Sequence, residues 1–326
     1  MIITKTPLRM SFVGGGSDVP AFYRRHGGAV LSSTIDQYVF VLVNRKFDQA
    51  IRVSYSKTEE VKSALQLEHP LVRAALSKLN ISGGIEITSV ADIPSRGTGL
   101  GSSSSFTVGL LHALHAFKGI FVSADALGRQ SCEIEIDICK EPIGKQDQFA
   151  AAFGGLNFIQ FHPDDTVAVE PIICRSETVQ KLQDNLLVFY TGITRRAATV
   201  LAAQNAPSAQ SRKHQQVLRR MVELAHSLKR ELQNNALDAF GEILHENWLL
   251  KRSLADEISN AQIDCWYEKG MRAGALGGKL LGAGGGGFLL FYAPKESHRK
   301  IADAMPELLE VAFKFERSGS RIIFVH

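Results

Sequence analysis

Apolar residues crowd three early stretches, residues 8–13, 27–43 and 50–55, which are rich in Val, Ile, Phe and Tyr and separated by Gly, Ser and Asn. That texture predicts strands. Apolar and polar positions alternate over 83–89, which predicts another. A serine- and glycine-rich run at 95–105 leads into 106–117, where the apolar spacing is helical. Ser123 opens a second predicted helix that runs to about Cys139 and is broken by Pro142-Ile143-Gly144. A short helix follows at 146–153, closed by Gly154-Gly155, and then a strand at 156–161.

The pattern then changes. An irregular stretch covers 162–175, a strand 186–190, and a long polar–apolar helical pattern 208–235. Two more helical segments are expected, one through about 252 and one over 255–273. A glycine run at 282–287 comes next, then a strand at 288–292, a helix near 296–311 and a strand at 321–325. A strand-rich first half and a helix-then-strand second half predict an α+β protein with a boundary near 175–190.

Composition narrows the function classes. The chain has 326 residues, 45% hydrophobic and 21% charged, enough for two domains or one large one. Its net charge of +4 is spread thinly. The pairs Arg24-Arg25, Arg195-Arg196 and Arg219-Arg220 form no basic stripe, which argues against nucleic acid and leaves anionic small molecules open as partners. Cys132, Cys139, Cys174 and Cys265 form no C-x-x-C pair and no zinc-type spacing, so reduced thiols are expected. The N-terminal residues lack a signal-peptide pattern and no apolar run reaches membrane-spanning length. The expectation is a cytoplasmic monomer or homodimer with no membrane partner.

Three glycine-bearing segments carry candidate chemistry. The first, Arg9-Met10-Ser11-Phe12-Val13-Gly14-Gly15-Gly16-Ser17-Asp18, reads as a strand entering a three-glycine turn. On its own it is a hairpin turn, since glycine adopts positive φ without steric cost; equally, bare backbone and Asp18 could meet a hydroxylated ligand. The second is Pro94-Ser95-Arg96-Gly97-Thr98-Gly99-Leu100-Gly101-Ser102-Ser103-Ser104-Ser105, which opens directly into a helix. Glycines let successive N–H groups converge, and a helix start adds unpaired N–H groups and a positive dipole end, a combination that binds phosphate. Plain helix caps are the competing reading, but four serines exceed what one cap needs.

The third segment is Lys279-Leu280-Leu281-Gly282-Ala283-Gly284-Gly285-Gly286-Gly287-Phe288. Gly282, Gly284 and Gly287 match G-x-G-x-x-G, but a helix is expected before the run and a strand after it, the reverse of the dinucleotide fingerprint. No Walker lysine pattern is present either. Among the acids, Glu135 lies on the second helix between Glu133 and Asp137, and Asp147 begins the next helix. Solvated surface acids and first-turn dipole compensation compete with a catalytic role for all of them.

Taken together and in this order, the three segments resemble the GHMP kinase superfamily. Within it, Pro7-Leu8-Arg9 with Phe12-Val13-Gly14-Gly15-Gly16-Ser17-Asp18, Pro142-Ile143-Gly144-Lys145-Gln146-Asp147-Gln148 and the 282–287 run are similar to the D-glycero-D-manno-heptose 7-phosphate 1-kinases, with L-fucokinase domains as the rival. The resemblance covers nearly all of residues 7 to 288. It implies a ribosomal-S5-domain-2-like N-terminal domain, residues 1–180, and a ferredoxin-like C-terminal domain, residues 181–326. It also implies ATP and Mg²⁺ as cofactors and a small sugar phosphate as acceptor.

By the same resemblance, Gly97, Gly99, Leu100, Gly101, Ser102, Ser103 and Ser104 wrap the ATP phosphates, and Ser103 (or its neighbours Ser102 and Ser104) and Glu135 hold Mg²⁺. Asp147 meets the acceptor hydroxyl beside Arg9. Gly15, Gly16, Ser17, Asp18, Gly284 and Gly285 line the acceptor site, and Arg195 is the candidate reader of the acceptor's phosphate. In galactokinases the positions of Gly15 and Gly16 carry Glu and His that help grip the sugar, so glycine here argues against galactose. A non-catalytic sensor on the same fold is the reading from another class, and Arg9, Glu135 and Asp147 speak against it.

Overall fold

Strand β1 (Ile2–Val13) is buried from Thr6 to its end. Strand alternation sends Leu8, Met10 and Phe12 to one face and Arg9 and Ser11 to the other, and all five are buried. In this computed structural model, which describes residues 1–93, 97–194 and 211–326, β1 pairs antiparallel with the long strand β2 (Gly28–Arg45). Their register slips where Pro7 faces Tyr38 but Leu8 faces Ile35. A bulge of this kind bends a strand and re-aims the side chains that follow it; Arg9 is the next to point away.

The far edge of β2 is shared. Its first residues pair with β6 (Leu156–Phe161) and its last with β5 (Ile85–Ala91). Beyond β5 lie β3 (Ile51–Ser54), parallel to it, and β4 (Thr58–Val61); β7 (Val167–Pro171) flanks β6. Strand β12 (Arg321–Val325) returns to the outer edge of β1 and completes an eight-stranded sheet.

Helix α3 (Ser102–Phe117) lies against β1 and β2. Gly109 permits the approach, because a Cβ there would sit 2.7 Å from the Thr6 hydroxyl. Helices α4 (Ala124–Cys132) and α5 (Gln146–Phe153) pack beside it. Between them, α4 continues into a π-helical turn, Glu133–Ile138. Such turns are rare and cluster at functional sites.

A second sheet, ordered β11 (Leu309–Glu310), β8 (Leu186–Tyr190), β10 (Phe288–Tyr292), β9 (Gly277–Leu280), is antiparallel throughout. Helix α9 (Ala261–Arg272) packs on it, and Trp248, Trp266, Tyr267 and Phe291 share its core. Helices α7 (Arg212–Gln233) and α8 (Phe240–Arg252) reach back to β1. On α7, Leu218, Met221, Leu224, Ala225, Leu228 and Leu232 recur at helical spacing and are buried. Among the described residues no helix is long and apolar enough to cross a membrane.

Four local expectations need correction. Strand β9, not a helix, precedes the glycine run at 282–287, so the run joins two antiparallel strands. Gly277 and Gly278 hide this strand from a pattern search, yet they are required there: a Cβ on Gly277 would fall 1.9 Å from the Gly241 carbonyl. The exclusion of a dinucleotide fold stands, since a strand, β10, and not a helix directly follows the run. The helix expected near 296–311 is α10 (Lys295–Asp303), short of Pro306. Helices α1 (Pro20–His26) and α2 (Pro70–Lys78) were absent from the sequence pattern because each begins at a proline, a breaker inside a helix but favoured at its first position. Lastly, β7 and α6 (Ser176–Asp184) show that residues 162–175 and those just after are more regular than their composition suggests.

Candidate active site

Arg9 and Asp147 form a bidentate ion pair. The Arg9 Nε donates to Oδ1 and a terminal nitrogen to Oδ2, both at 2.7 Å. The third guanidinium nitrogen donates to the Gly99 carbonyl at 2.7 Å, and the Arg9 backbone N–H donates to the Leu100 carbonyl at 3.0 Å. Fork-to-fork geometry of this kind fixes both planes as well as supplying energy. Arg9 is buried, whereas the Asp147 side chain keeps 24% of its exposure. The carboxylate is thus the accessible end of the pair.

That pair sits against the start of α3. A Cβ on Gly101, the residue before the helix, would lie 3.3 Å from Asp147 Oδ2 and 3.4 Å from Arg9 Cγ. Gly97, Gly99 and Gly101 all take left-handed backbone, with φ of 72°, 79° and 76°. The first intrahelical bond is Ser105 N–H to the Gly101 carbonyl, so the N–H groups of Ser102, Ser103 and Ser104 have no helical acceptor. Ser103 is exposed, while Ser102 and Ser104 are buried. Pro94, Ser95 and Arg96 lie outside the described residues.

Glu135 answers the question left open among the three neighbouring acids. The π-helical turn buries it completely, while Glu133 and Asp137 stay exposed and Glu133 pairs with Lys78. Its carboxylate accepts from Ser103 Oγ at 3.1 Å, Ser104 Oγ at 2.7 Å, Thr107 Oγ1 at 3.0 Å and Gln148 Nε2 at 2.5 Å. Burial pushes its pKa up, and those four donors oppose the shift. Thr107 and Gln148 were not singled out from the sequence; a threonine one turn into α3 and a glutamine beside Asp147 are ordinary helix residues.

The Gly14–Asp18 turn is tightly built. Ser17 Oγ donates to the Gly14 and Ala29 carbonyls, so that side chain serves the turn itself. Asp18 is buried, accepting from the N–H groups of Gly16 at 3.0 Å and Gln146 at 3.2 Å. It thereby fastens the turn to the start of α5. Burial raises its pKa, with the Asp147 charge adding and the backbone donors opposing. Gly15 faces Ser11 Oγ and the Gln146 amide, and Gly16 faces Leu218 on α7.

The 282–287 run touches the first half at two points. Gly282 abuts Gly99, where a Cβ would meet the Gly99 Cα at 2.2 Å, and a Cβ on Gly287 would lie 2.3 Å from the Thr98 carbonyl. Gly284 and Gly285 turn instead toward Ile258, whose carbonyl accepts the Gly285 N–H at 2.9 Å. Two further residues, Asn247 and Lys251 on α8, reach these loops, and neither stood out in the sequence. Arg195 lies outside the described residues. Among the described residues no cluster of three or more His, Cys, Asp or Glu side chains could hold a metal.

The described site thus sets a carboxylate–guanidinium pair beside a glycine-bent, serine-rich helix start. Residues 46–155 match the GHMP kinases N terminal domain and residues 228–311 the GHMP kinases C terminal domain. The chain belongs to the GHMP kinases. It is 27% identical to the D-glycero-alpha-D-manno-heptose 7-phosphate kinase of Campylobacter jejuni, over 98% of this chain and 97% of that one. It is 28% identical to the bifunctional fucokinase/GDP-fucose pyrophosphorylase of Arabidopsis thaliana over 94% of its length, but spans only 31% of that longer protein. A crystal structure of a D-glycero-D-manno-heptose 1-phosphate kinase from Bacteroides thetaiotaomicron superposes with a TM-score of 0.82 at 24% identity, with both chains fully covered. The α+β GHMP fold expected from the sequence is the fold observed.

Proposed function

We propose that this chain is an ATP-dependent sugar kinase whose acceptor is D-glycero-D-manno-heptose 7-phosphate, phosphorylated at its anomeric hydroxyl to the 1,7-bisphosphate. The observation that carries the kinase reading is the Arg9–Asp147 pair set against the bare N-terminus of α3. The heptose rests on the full-length similarity to the Campylobacter jejuni enzyme. The fucokinase similarity spans only about a third of its bifunctional relative.

In this reading the ATP phosphates lie on the N–H groups of residues 97–104, where fixed dipoles stabilise charge without reorganising. Asp147 accepts a hydrogen bond from the acceptor hydroxyl and takes its proton as the hydroxyl oxygen bonds to the γ-phosphorus and the bond from that phosphorus to the ADP oxygen breaks. Arg9 holds the carboxylate in place. The Gly14–Asp18 turn forms one wall of the acceptor pocket, with Gly15 and Gly16 leaving room that side chains would fill. Gly284 and Gly285, packed on Ile258, are proposed to face the acceptor from the C-terminal half.

Ser103 and Glu135 offer oxygens of the kind Mg²⁺ prefers, few of which need come from protein when phosphates and water supply the rest. Ser103 Oγ donates a hydrogen bond to Glu135 and keeps its own lone pairs free. Glu135 would exchange that hydrogen bond for the cation. Bound there, the cation would neutralise phosphate charge. Arg195 is proposed to read the 7-phosphate through a bidentate fork; Arg195→Ala should raise KM for the heptose phosphate and leave an unphosphorylated sugar unaffected.

ADP release measured over heptose 7-phosphate, fucose, mannose and galactose tests the assignment. Turnover should be fastest with heptose 7-phosphate, and phosphorus NMR should show a new anomeric phosphate. Preference for fucose or mannose would overturn the acceptor, and absence of ADP release with every sugar would overturn the kinase.

A further inference from the structure

Helix α8 presents two polar side chains one turn apart, Asn247 and Lys251, which share a helix face. Asn247 Oδ1 accepts the Gly14 N–H at 3.1 Å, and the Lys251 ammonium donates to the Gly282 carbonyl. Lys251 is only 5% exposed. Its charged neighbours are Arg9 on β1, Asp18 in the turn after it, Asp147 on α5 and Lys279 on β9. Arg9 and Asp147 satisfy each other directly, and Asp18 is held by backbone N–H groups. Lys279 spends its ammonium on the Ser11 and Phe12 carbonyls at 2.7 and 3.0 Å.

Lys251 is therefore a buried cation with no carboxylate at ion-pair distance among the described residues. An ammonium has three donors, and among those residues only the Gly282 carbonyl takes one. A buried unpaired charge is costly unless a counter-ion arrives. The position says which one. Gly282 abuts Gly99, and the Gly99 carbonyl accepts from Arg9, so Arg9 and Lys251 flank the junction of the two glycine loops.

We propose that Lys251 is a second cation of the transfer site, donated by the C-terminal half, whose ammonium contacts the γ-phosphoryl group of ATP as it passes to the acceptor. This rests on the kinase reading above. Burial, with Arg9 adding, brings the Lys251 pKa down to about 8, and Asp18 and Asp147 oppose that shift. An ammonium that loses its proton in this range leaves the phosphoryl group less well neutralised at alkaline pH.

The test uses the full-length protein with Lys251→Met, which keeps length and loses charge, and Lys251→Arg, which keeps the charge. Calorimetry gives the affinities of Mg–ATP and Mg–ADP for each. A charged hydrogen bond to the γ-phosphate alone is worth roughly 10- to 100-fold in affinity. K251M should therefore bind ATP weaker by about that factor and ADP as the parent does. Its kcat should fall at least as far, with partial rescue in K251R. In the parent, kcat/KM should decline above pH of about 8, and K251R should remove that decline. Equal loss of ATP and ADP affinity in K251M would assign Lys251 to holding the loop and overturn the proposal, as would an unchanged kcat. If the parent protein binds ATP with a γ-phosphate preference but phosphorylates none of the sugars, the acceptor assignment fails and the nucleotide affinities alone decide Lys251.

Discussion

A carboxylate sealed from water needs its lone pairs occupied, and Glu135 has four donors around it. Replacing it with glutamine turns one acceptor into a donor that faces hydroxyl and amide donors. Glu135→Gln should cost about 1–3 kcal/mol of stability and raise the Mg²⁺ concentration for half-maximal rate. Ser103→Ala removes one of the four donors to Glu135 but leaves Thr107 on the same oxygen, so it should raise the same Mg²⁺ requirement and lower stability by less than Glu135→Gln does. Magnesium titrations of both variants that overlay the parent would remove the pair from metal binding. Asp147→Asn keeps the shape of the Arg9 partner but loses its charge. It should lower kcat by about 100- to 10,000-fold if the carboxylate takes the proton, with ATP affinity nearly intact, and a purified variant with normal kcat would refute that role. Arg9, Asp147, Ser103 and Glu135 could be named only through the family resemblance of the glycine- and proline-marked segments around them. Thr107, Gln148 and Lys251 could not: each is an ordinary helix residue whose destination is set by packing. Glu135 could not be told from Glu133 and Asp137 either, since the π-helical turn that buries it leaves no signature in its apolar–acidic alternation.

The glycine runs show what element-level reading gains and loses. The 97–105 run and the helix it opens were legible because backbone freedom and helix-start chemistry act over a few residues. So were β6, α5 and β10, whose patterns are uninterrupted. What the glycines of 282–287 contact was not legible, because the reason for a bare backbone is the other chain segment pressed on it. Gly282 and Gly119 separate the two effects. Both have left-handed backbone, at φ of 76° and 72°, but a Cβ at Gly119 meets nothing within 4 Å, while one at Gly282 strikes Gly99. Gly119→Ala should cost only the backbone term of roughly 1–2 kcal/mol and leave KM for ATP unchanged. Gly282→Ala should cost more and raise that KM, because it prises the 282–287 run from Gly99 and the start of α3. Equal behaviour of the two variants in thermal melts and ATP titrations would show that the loops do not work as one unit.

At the scale of the whole molecule, the C-terminal half completes the N-terminal one rather than standing beside it. Strand β12 pairs with β1 across nearly the full length of the chain, and Lys279, Asn247 and Lys251 reach the backbone of β1 and both glycine loops. None of this was visible in the sequence, where a lysine within a helix reads as a solvated charge. The arrangement has a measurable consequence for stability. Burial lowers the Lys251 pKa from the ordinary 10.5 to about 8. Below the lower value the ammonium is charged in both states, and its desolvation counts against the fold. Between the two values the unfolded chain holds a proton that the native chain has released, so the native state gains stability as pH rises. Lys251→Met has no such proton. The stability of the parent minus that of K251M, from urea unfolding, should therefore grow between pH of about 8 and about 10.5, the window in which the folded and unfolded lysine differ in protonation. A difference that stays flat or shrinks over that interval would mean that the native structure keeps the Lys251 ammonium charged as readily as water does.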